Sequence, residues 1–326
     1  MRYGYEYISK NESRRKRILR RRVKRTAFSI IFFLCLFYLV GLIIQTVRHR
    51  NSQTIVSPLA ESFSVSVNVV KQIIAPSRLK DVVGKSLVGA QGTYAVVVKN
   101  LETGESYYLN ENREFESASL YKLWVMAVAE RQIESGKLDP GKILSRDISE
   151  LNAEYNIASE SAELTEGIFE LSVKDAITQM IVISNNYAAL SLSDEVGAPN
   201  VSAFLTNFNF NSSHFDDPPT TTSSDIASFF EKLYNNQLAS EKTTRQMMDM
   251  LKNQQLNDRL PKYLPQEAVV GHKTGELDTF KHDAGIIFTP KGDYILVILS
   301  DTDNPDDAAE RIAKLSKDIY DYFDKR

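Results

Sequence analysis

The chain has 326 residues, 43% hydrophobic, 10% aromatic and 25% charged, proportions that exclude a wholly disordered chain, a collagen and a disulfide-stapled miniprotein. The formal net charge of −3 averages two unlike parts: residues 1–50 carry 13 basic and 2 acidic side chains, and residues 51–326 carry 26 basic and 40 acidic ones. An acidic body of that kind argues against a nucleic-acid partner, which would need a positive surface to meet its phosphates.

In chain order, the basic arm 1–26 comes first, densest between Arg14 and Arg25, and an uncharged apolar run from Ala27 to about Val47 follows it. About 20 such residues cross a bilayer as a helix, so 27–47 is predicted to be a transmembrane helix. Only Arg48 and Arg50 flank its far end. The excess of positive charge before the run therefore puts the N-terminus in the cytoplasm and the rest outside the cell membrane, a single-pass arrangement in which lipid is the partner of the anchor and arm. A cleaved signal peptide is the competing reading, but the run is longer than a signal core and no small-x-small site closely follows it. Cys35, the only cysteine, lies within the run, so the exported part has neither a disulfide nor a cysteine nucleophile. The Ser-rich residues 48–76 read as an extracytoplasmic stalk. Residues 77–326 then form the globular part, long enough for one large core or two lobes.

Residues 92–109 hold two β-rich runs around Glu102-Thr-Gly104, a hairpin pattern. A helix is predicted from Leu120 to Ile133, closed by Gly136. Ser172-Val-Lys-Asp175 has the form of a capping box opening a helix over 176–183. Further helices are predicted at 187–196, 224–235 and 241–255, and strands at Val269-Val270, 284–288 and 294–299. The last helix places Ala308, Ile312, Leu315, Ile319 and Tyr322 on one face. Strands at both ends with helices between them imply an α/β (α+β) domain, its antiparallel sheet built from the two ends around an inserted helical lobe.

Four histidines without metal-ligand spacing argue against a zinc site, and no cofactor is expected. There is no Gly-x-Ser-x-Gly elbow. Asp301-Thr-Asp-Asn-Pro-Asp-Asp307 lacks the Gly and the Glu of a calcium loop, so Asp306 or Asp307 is expected to cap the last helix. The chemistry-bearing pattern that remains is Ser119-Leu-Tyr-Lys122. If a helix begins at Ser119, Lys122 lies one turn on, on the same face, where a neutral amine can take the proton of the hydroxyl. Such an amine must have its pKa lowered by desolvation or by a neighbouring cation. Ser-x-x-Lys also occurs at Ser13 and Ser77, and Ser-x-Asn at Ser9 and Ser66, whereas Lys-Thr-Gly occurs once. Only Ser119/Lys122, Ser184/Asn186 and Lys273-Thr274-Gly275 fall in order within the exported part. The first opens a helix, the second lies between two helices and the third ends a strand.

In these motifs the chain resembles the penicillin-recognising serine enzymes, the class A β-lactamases and the D,D-peptidases related to them, which carry Ser-x-x-Lys, Ser-Asp-Asn and Lys-Thr-Gly in this order. Phe115-Glu-Ser-Ala-Ser119 leads into the nucleophile helix in the family manner, and Asp217-Pro-Pro-Thr-Thr-Thr222 is similar to the Thr-rich stretch after the family's active-site loop. The resemblance implies a β-lactamase/transpeptidase-like fold and a serine hydrolase acting on a β-lactam or a D-Ala-D-Ala-type peptidoglycan stem peptide. It makes Ser119 the acylated nucleophile, Lys122 its base and Ser184 the proton relay to the leaving nitrogen. Asn186 would hold Lys122 and the substrate amide. Lys273 and Thr274 would bind the substrate carboxylate, with Lys273 also keeping Lys122 deprotonated. Gly275 would let substrate lie along the strand edge, and the amides of Ser119 and Glu276 would form the oxyanion hole.

Two departures stand out. Asn185 replaces the usual Asp of the second motif, and the class A Glu-x-x-x-Asn loop, whose Glu activates the deacylating water, is absent. Between Asn186 and Thr220 the acids are Asp194, Glu195, Asp216 and Asp217, none in that pattern. Acylation is therefore better supported than fast deacylation. A different class of reading, a non-hydrolytic penicillin-binding sensor or cell-wall scaffold, has against it an inside segment too short for a signalling domain. Hydrolysis of some other ester or amide would use the same three motifs.

Overall fold

The structure, a computed structural model, describes residues 78–159 and 161–325. The predicted basic arm, transmembrane helix and stalk lie outside the described residues. Among those described, no helix is long and apolar enough to cross a membrane.

Helix α1 (Arg78–Ser86) leads into the hairpin β1 (Thr93–Asn100) and β2 (Ser106–Leu109), as the Glu102-Thr-Gly104 turn predicts. The short strand β3 (Phe115–Glu116), a 3₁₀ turn (Ala118–Tyr121) and helix α2 (Lys122–Glu134) follow. Two short antiparallel strands, β4 (Ile143–Asp147) and β5 (Ile168–Ser172), bracket α3 (Ile148–Glu154). The helical lobe continues through α4 (Val173–Val182), α5 (Asn186–Val196), α6 (Ala198–Asn207), the two-residue strand β6 (Thr220–Thr221), α7 (Ser223–Tyr234) and α8 (Glu241–Lys252). Strands β7 (Val269–Leu277), β8 (Phe280–Phe288) and β9 (Tyr294–Asp301) and helix α9 (Pro305–Asp324) complete the chain. The main sheet has the order β2-β1-β9-β8-β7, all antiparallel, so strands from the two ends of the domain enclose the inserted lobe as predicted.

The sheet is buried on both faces, which is why β1 and β9 read as continuous apolar runs. Side chains alternate along a strand. Ala95, Val97, Ile295, Val297 and Leu299 join the core shared with α2, α7 and α8, while Val96, Val98, Leu296 and Ile298 pack with α1 and α9 through Leu79, Val83, Ala308, Ile312, Leu315 and Ile319. Helix α2 runs through the middle of the lobe with Lys122 through Ala129 all buried, and a helix covered on every side belongs to the core of a larger domain. One consequence governs the chemistry: Lys122 is carried into that core with its apolar neighbours.

Most local signals hold. Ser172 caps α4, its Oγ accepting from Asp175 N at 3.1 Å while donating to Asp175 Oδ2 at 2.7 Å. The helix begins at Val173, three residues before the expected start. Ser172→Ala is expected to cost about 1 kcal/mol, lowering Tm by about 2–4 °C in a domain of this size, as calorimetry would show. The cap of α9 differs from expectation: Asn304 accepts from Asp307 N, and Asp306 and Asp307 lie in the first turn. Pro305 fixes the first helical position, so the preceding Asn304 takes the capping geometry, and the two acids complement the positive end of the helix.

Candidate active site

Three local geometries present the motif residues. Ser119 lies in the 3₁₀ turn that precedes α2, not in the first turn of the α-helix. Ala118 just before it has φ +44°, a left-handed backbone that a non-glycine residue adopts at a cost. Ser184, between α4 and α5, has φ +58°, and this turn aims both its carbonyl and its hydroxyl at Lys122. Asn185 caps α5, its side chain accepting from Ala188 N, so the Asp-to-Asn departure keeps a side chain that can cap a helix. Lys273-Thr274-Gly275 lies in the middle of β7, paired with Ala284, Asp283 and His282 of β8, where a strand end was expected.

Lys122, Ser184, Asn186 and Lys273 form one polar network. The Nζ of Lys122 donates to Ser184 O at 2.7 Å, Ser184 Oγ at 3.1 Å and Asn186 Oδ1 at 2.7 Å. The Nζ of Lys273 donates to the same Ser184 Oγ at 2.9 Å and to Thr274 O at 2.8 Å. Two amines thus occupy the acceptor sites of Ser184 Oγ, leaving its O–H free to donate elsewhere. Ser119 is half-buried beside this network. Its Oγ has no hydrogen-bond partner among the described residues, so the predicted contact with Lys122 is not formed. The buried amine instead places its three hydrogens on the acceptors of Ser184 and Asn186, as a desolvated cation must.

Electrostatics follow from burial. Lys122 is 0% exposed, and desolvation brings its pKa down to about 7, against an opposing pull from Glu163. Lys273, also 0% exposed, is pushed well below the usual lysine range by burial and then by repulsion from Lys122, with Asp283 opposing. Burial is the larger cause at both lysines, and repulsion between the two amines acts in the same direction.

A Cβ on Gly275 would stand 3.1 Å from Ser117 O and 3.2 Å from His282 Cδ2, so this glycine lets β7 close on the turn that carries Ser119. His282 fastens that turn from the sheet: its Nε2 donates to Glu116 O at 2.9 Å and its Nδ1 accepts from Ser300 N at 3.1 Å. Burial lowers its pKa to about 4 and keeps it neutral, which suits one donor and one acceptor. Thr274 is buried, and Glu276 is exposed at the end of the motif. The Glu276 carboxylate accepts from Arg259 Nη2 and from Lys281 Nζ, each at 2.5 Å. Partial burial would raise its pKa, but the Lys281 hydrogen bond and the Arg259 charge outweigh that and hold it below the usual carboxylate range.

None of the four acids between Asn186 and Thr220 enters the network. Glu195 pairs with Lys142, Asp194 with Arg146 and Tyr155, and Asp216 and Asp217 are exposed. The carboxylate that does reach the motif residues is Glu163, whose Oε1 accepts from Asn186 Nδ2 at 2.6 Å. It lies on the loop between α3 and β5, before the second motif, in a stretch that no sequence pattern marks. Among the described residues no group of three or more His, Cys, Asp or Glu could hold a metal ion.

Comparison with known proteins gives the family and the fold. The sequence profile of Beta-lactamase2, the beta-lactamase enzyme family, matches residues 76–323. A beta-lactamase from Bacteroides uniformis is 22% identical over 275 residues, covering 75% of this chain and 91% of that protein. Among solved structures, the beta-lactamase from Sphaerobacter thermophilus DSM 20745 superposes with a TM-score of 0.67 at 22% identity, covering 76% of this chain and 97% of that one. PBP-A superposes with a TM-score of 0.69 at 20% identity, covering 77% and 97%. At these identities the likeness to the solved structures is one of fold, whereas the profile match spans the described domain from end to end. The chain therefore belongs to the beta-lactamase enzyme family and is a serine hydrolase of that family.

Proposed function

We propose that Ser119 is the nucleophile of a membrane-anchored, extracytoplasmic acyl-transfer site that takes β-lactams or D-Ala-D-Ala-type peptides. The observation that carries this reading is the convergence of two buried lysine amines on Ser184 Oγ beside an unpartnered Ser119 hydroxyl. The neutral Lys122 amine takes the proton as Ser119 Oγ bonds to the substrate carbonyl carbon. The C–N bond then breaks, and the leaving nitrogen takes its proton from Ser184 Oγ, which is resupplied by the lysine pair. Two ammonium ions so close are costly in a buried site, so the pair titrates as a unit. A substrate carboxylate beside Lys273 and Thr274 draws the proton to Lys273 and leaves Lys122 neutral, so binding readies the base. The amides of Ser119 and Glu276 would hold the carbonyl oxygen, a contact worth about 3 kcal/mol per donor in comparable sites.

Slow deacylation belongs to the same reading, because the acids between Asn186 and Thr220 are engaged elsewhere or exposed. A PBP-A mutant of the same fold is itself an acyl-enzyme complex with penicillin G. Anchoring rests on the apolar run 27–47 and the basic arm before it.

The test is intact-mass spectrometry of the full-length chain incubated with benzylpenicillin, followed by peptide mapping. One penicillin added per chain, mapped to Ser119 and persisting over many minutes, is the expected result. An absence of adduct on folded protein, or an adduct on another residue, would refute the assignment. Loss of the adduct within seconds would refute slow deacylation alone.

A further inference from the structure

The turn that carries Ser119 is held from two sides. On one side the pairing of Glu116 with Thr220 of β6 and a hydrogen bond from Ser117 N to Pro219 O at 2.8 Å fix its backbone. On the other side stands the main sheet, and there a single side chain makes the tie. His282 of β8, 0% exposed, donates from Nε2 to Glu116 O at 2.9 Å. Among the described residues no other side chain from outside the turn donates to the backbone of 115–119. The second ring nitrogen settles where the proton is: Nδ1 faces Ser300 N of β9 at 3.1 Å, and a backbone N–H can only donate, so the ring hydrogen must sit on Nε2. Packing fixes the ring as well. It stands edge-on to Phe115 with centroids 6.0 Å apart, meets Phe280 at 5.8 Å, and lies against Gly275, its partner on β7. Two residues past Glu116, Ala118 holds its left-handed φ of +44°, a conformation that persists only where the surroundings over-determine it. The bond to Glu116 O is one such constraint.

We propose that His282 is a positioning residue for Ser119: through Glu116 O it ties the strained turn to the sheet, at the distance that sets the Ser119 hydroxyl beside the Lys122 and Lys273 network. The inference rests on the function proposed above for the role of Ser119, whereas the tie is this chain's own geometry. A neutral imidazole suits the task because its two nitrogens span the gap from the β9 amide to the turn carbonyl with no torsion between them. A side-chain amide reaches only one of the two partners. In asparagine the terminal amide falls where Nδ1 was, so it keeps an acceptor for Ser300 N and loses the turn. In glutamine it falls where Nε2 was, so it keeps a donor for Glu116 O and loses Ser300.

These two variants separate the tie from the packing. Quenched-flow labelling of the full-length chain with a fluorescent penicillin, over a range of concentrations, gives the dissociation constant and the limiting acylation rate at Ser119. Circular dichroism puts both on the basis of folded chain. In His282→Asn the limiting rate is expected to fall by about 10- to 100-fold, the scale of a misplacement of up to about 1 Å. The dissociation constant should hold, because the tie acts on the turn and not on Lys273 or Thr274. His282→Gln should keep a rate near that of the unmodified chain, although it too gives up one of the two ring hydrogen bonds. An unmodified rate in His282→Asn, an equal loss in both variants, or a loss confined to the dissociation constant overturns the proposal. Nitrogen NMR of the histidine rings in the unmodified chain checks the tie without any variant: a hydrogen on Nε2 of His282 is expected, and a hydrogen on Nδ1 overturns it. A folded, unmodified chain that takes no penicillin at Ser119 overturns the proposed function and this role with it, whereas a labelled chain indifferent to His282→Asn overturns this inference alone.

Discussion

Lys122→Met is expected to slow acylation by benzylpenicillin by about 10²- to 10⁴-fold, the range over which a positioned general base acts. Methionine matches the length of the buried stem, so the loss isolates the amine, and circular dichroism checks that the fold persists. The unmodified chain should show the complementary pH dependence. The amine is a base only when neutral, and with its pKa at about 7 the acylation rate falls as pH drops below that value and levels off above it. A lysine at its ordinary value would place that limb near pH 10.4. An acid limb found there, or a Lys122→Met variant acylated at the unmodified rate, would remove Lys122 from the role of base.

Gly285→Ala should be the most damaging single methyl group in the sheet. Gly285 stands opposite His272 between β7 and β9, and an added Cβ would lie 2.4 Å from Gly271 O, 2.6 Å from His272 Cβ and 2.8 Å from His272 Cα. Two of those atoms are backbone in β7, the edge strand of the sheet, with no rotamer to turn away, so β7 itself must move away from β8. A cost of about 3 kcal/mol or more is expected, at the upper end for overpacking. For a domain of about 250 residues that lowers Tm by roughly 6–12 °C. His272 is followed directly by Lys273 and Thr274, so the same shift should slow acylation in whatever fraction remains folded. Unchanged melting would show that the strands have more slack than this packing allows.

How much of this was legible before the structure depended on range. Ser119, Lys122, Ser184, Asn186, Lys273, Thr274 and Gly275 stand in short local motifs, and the hairpin at 93–109, the cap at Ser172 and the apolar face of the last helix are local signals too. Strand β7 was seen only at Val269-Val270 because His272, Lys273 and Thr274 bury polar groups where a strand pattern expects apolar ones. Functional sites break the local rule in this way. Glu163 was missed because a single acid in a loop has no period or spacing to mark it.

By itself the sequence determined the three ordered motifs, the helical lobe inserted between the sheet strands, and the charge divide that a value of −3 conceals. Only the tertiary structure decided the state of the motif residues. Burial depends on what packs around a side chain from distant parts of the chain: it brings Lys122 to about 7 in the covered first half of α2, sets Lys273 against the same hydroxyl, and leaves Glu163 as the acid touching Asn186. Motif spacing fixes identity, whereas desolvation and proximity fix protonation, and these exist only once the chain has folded.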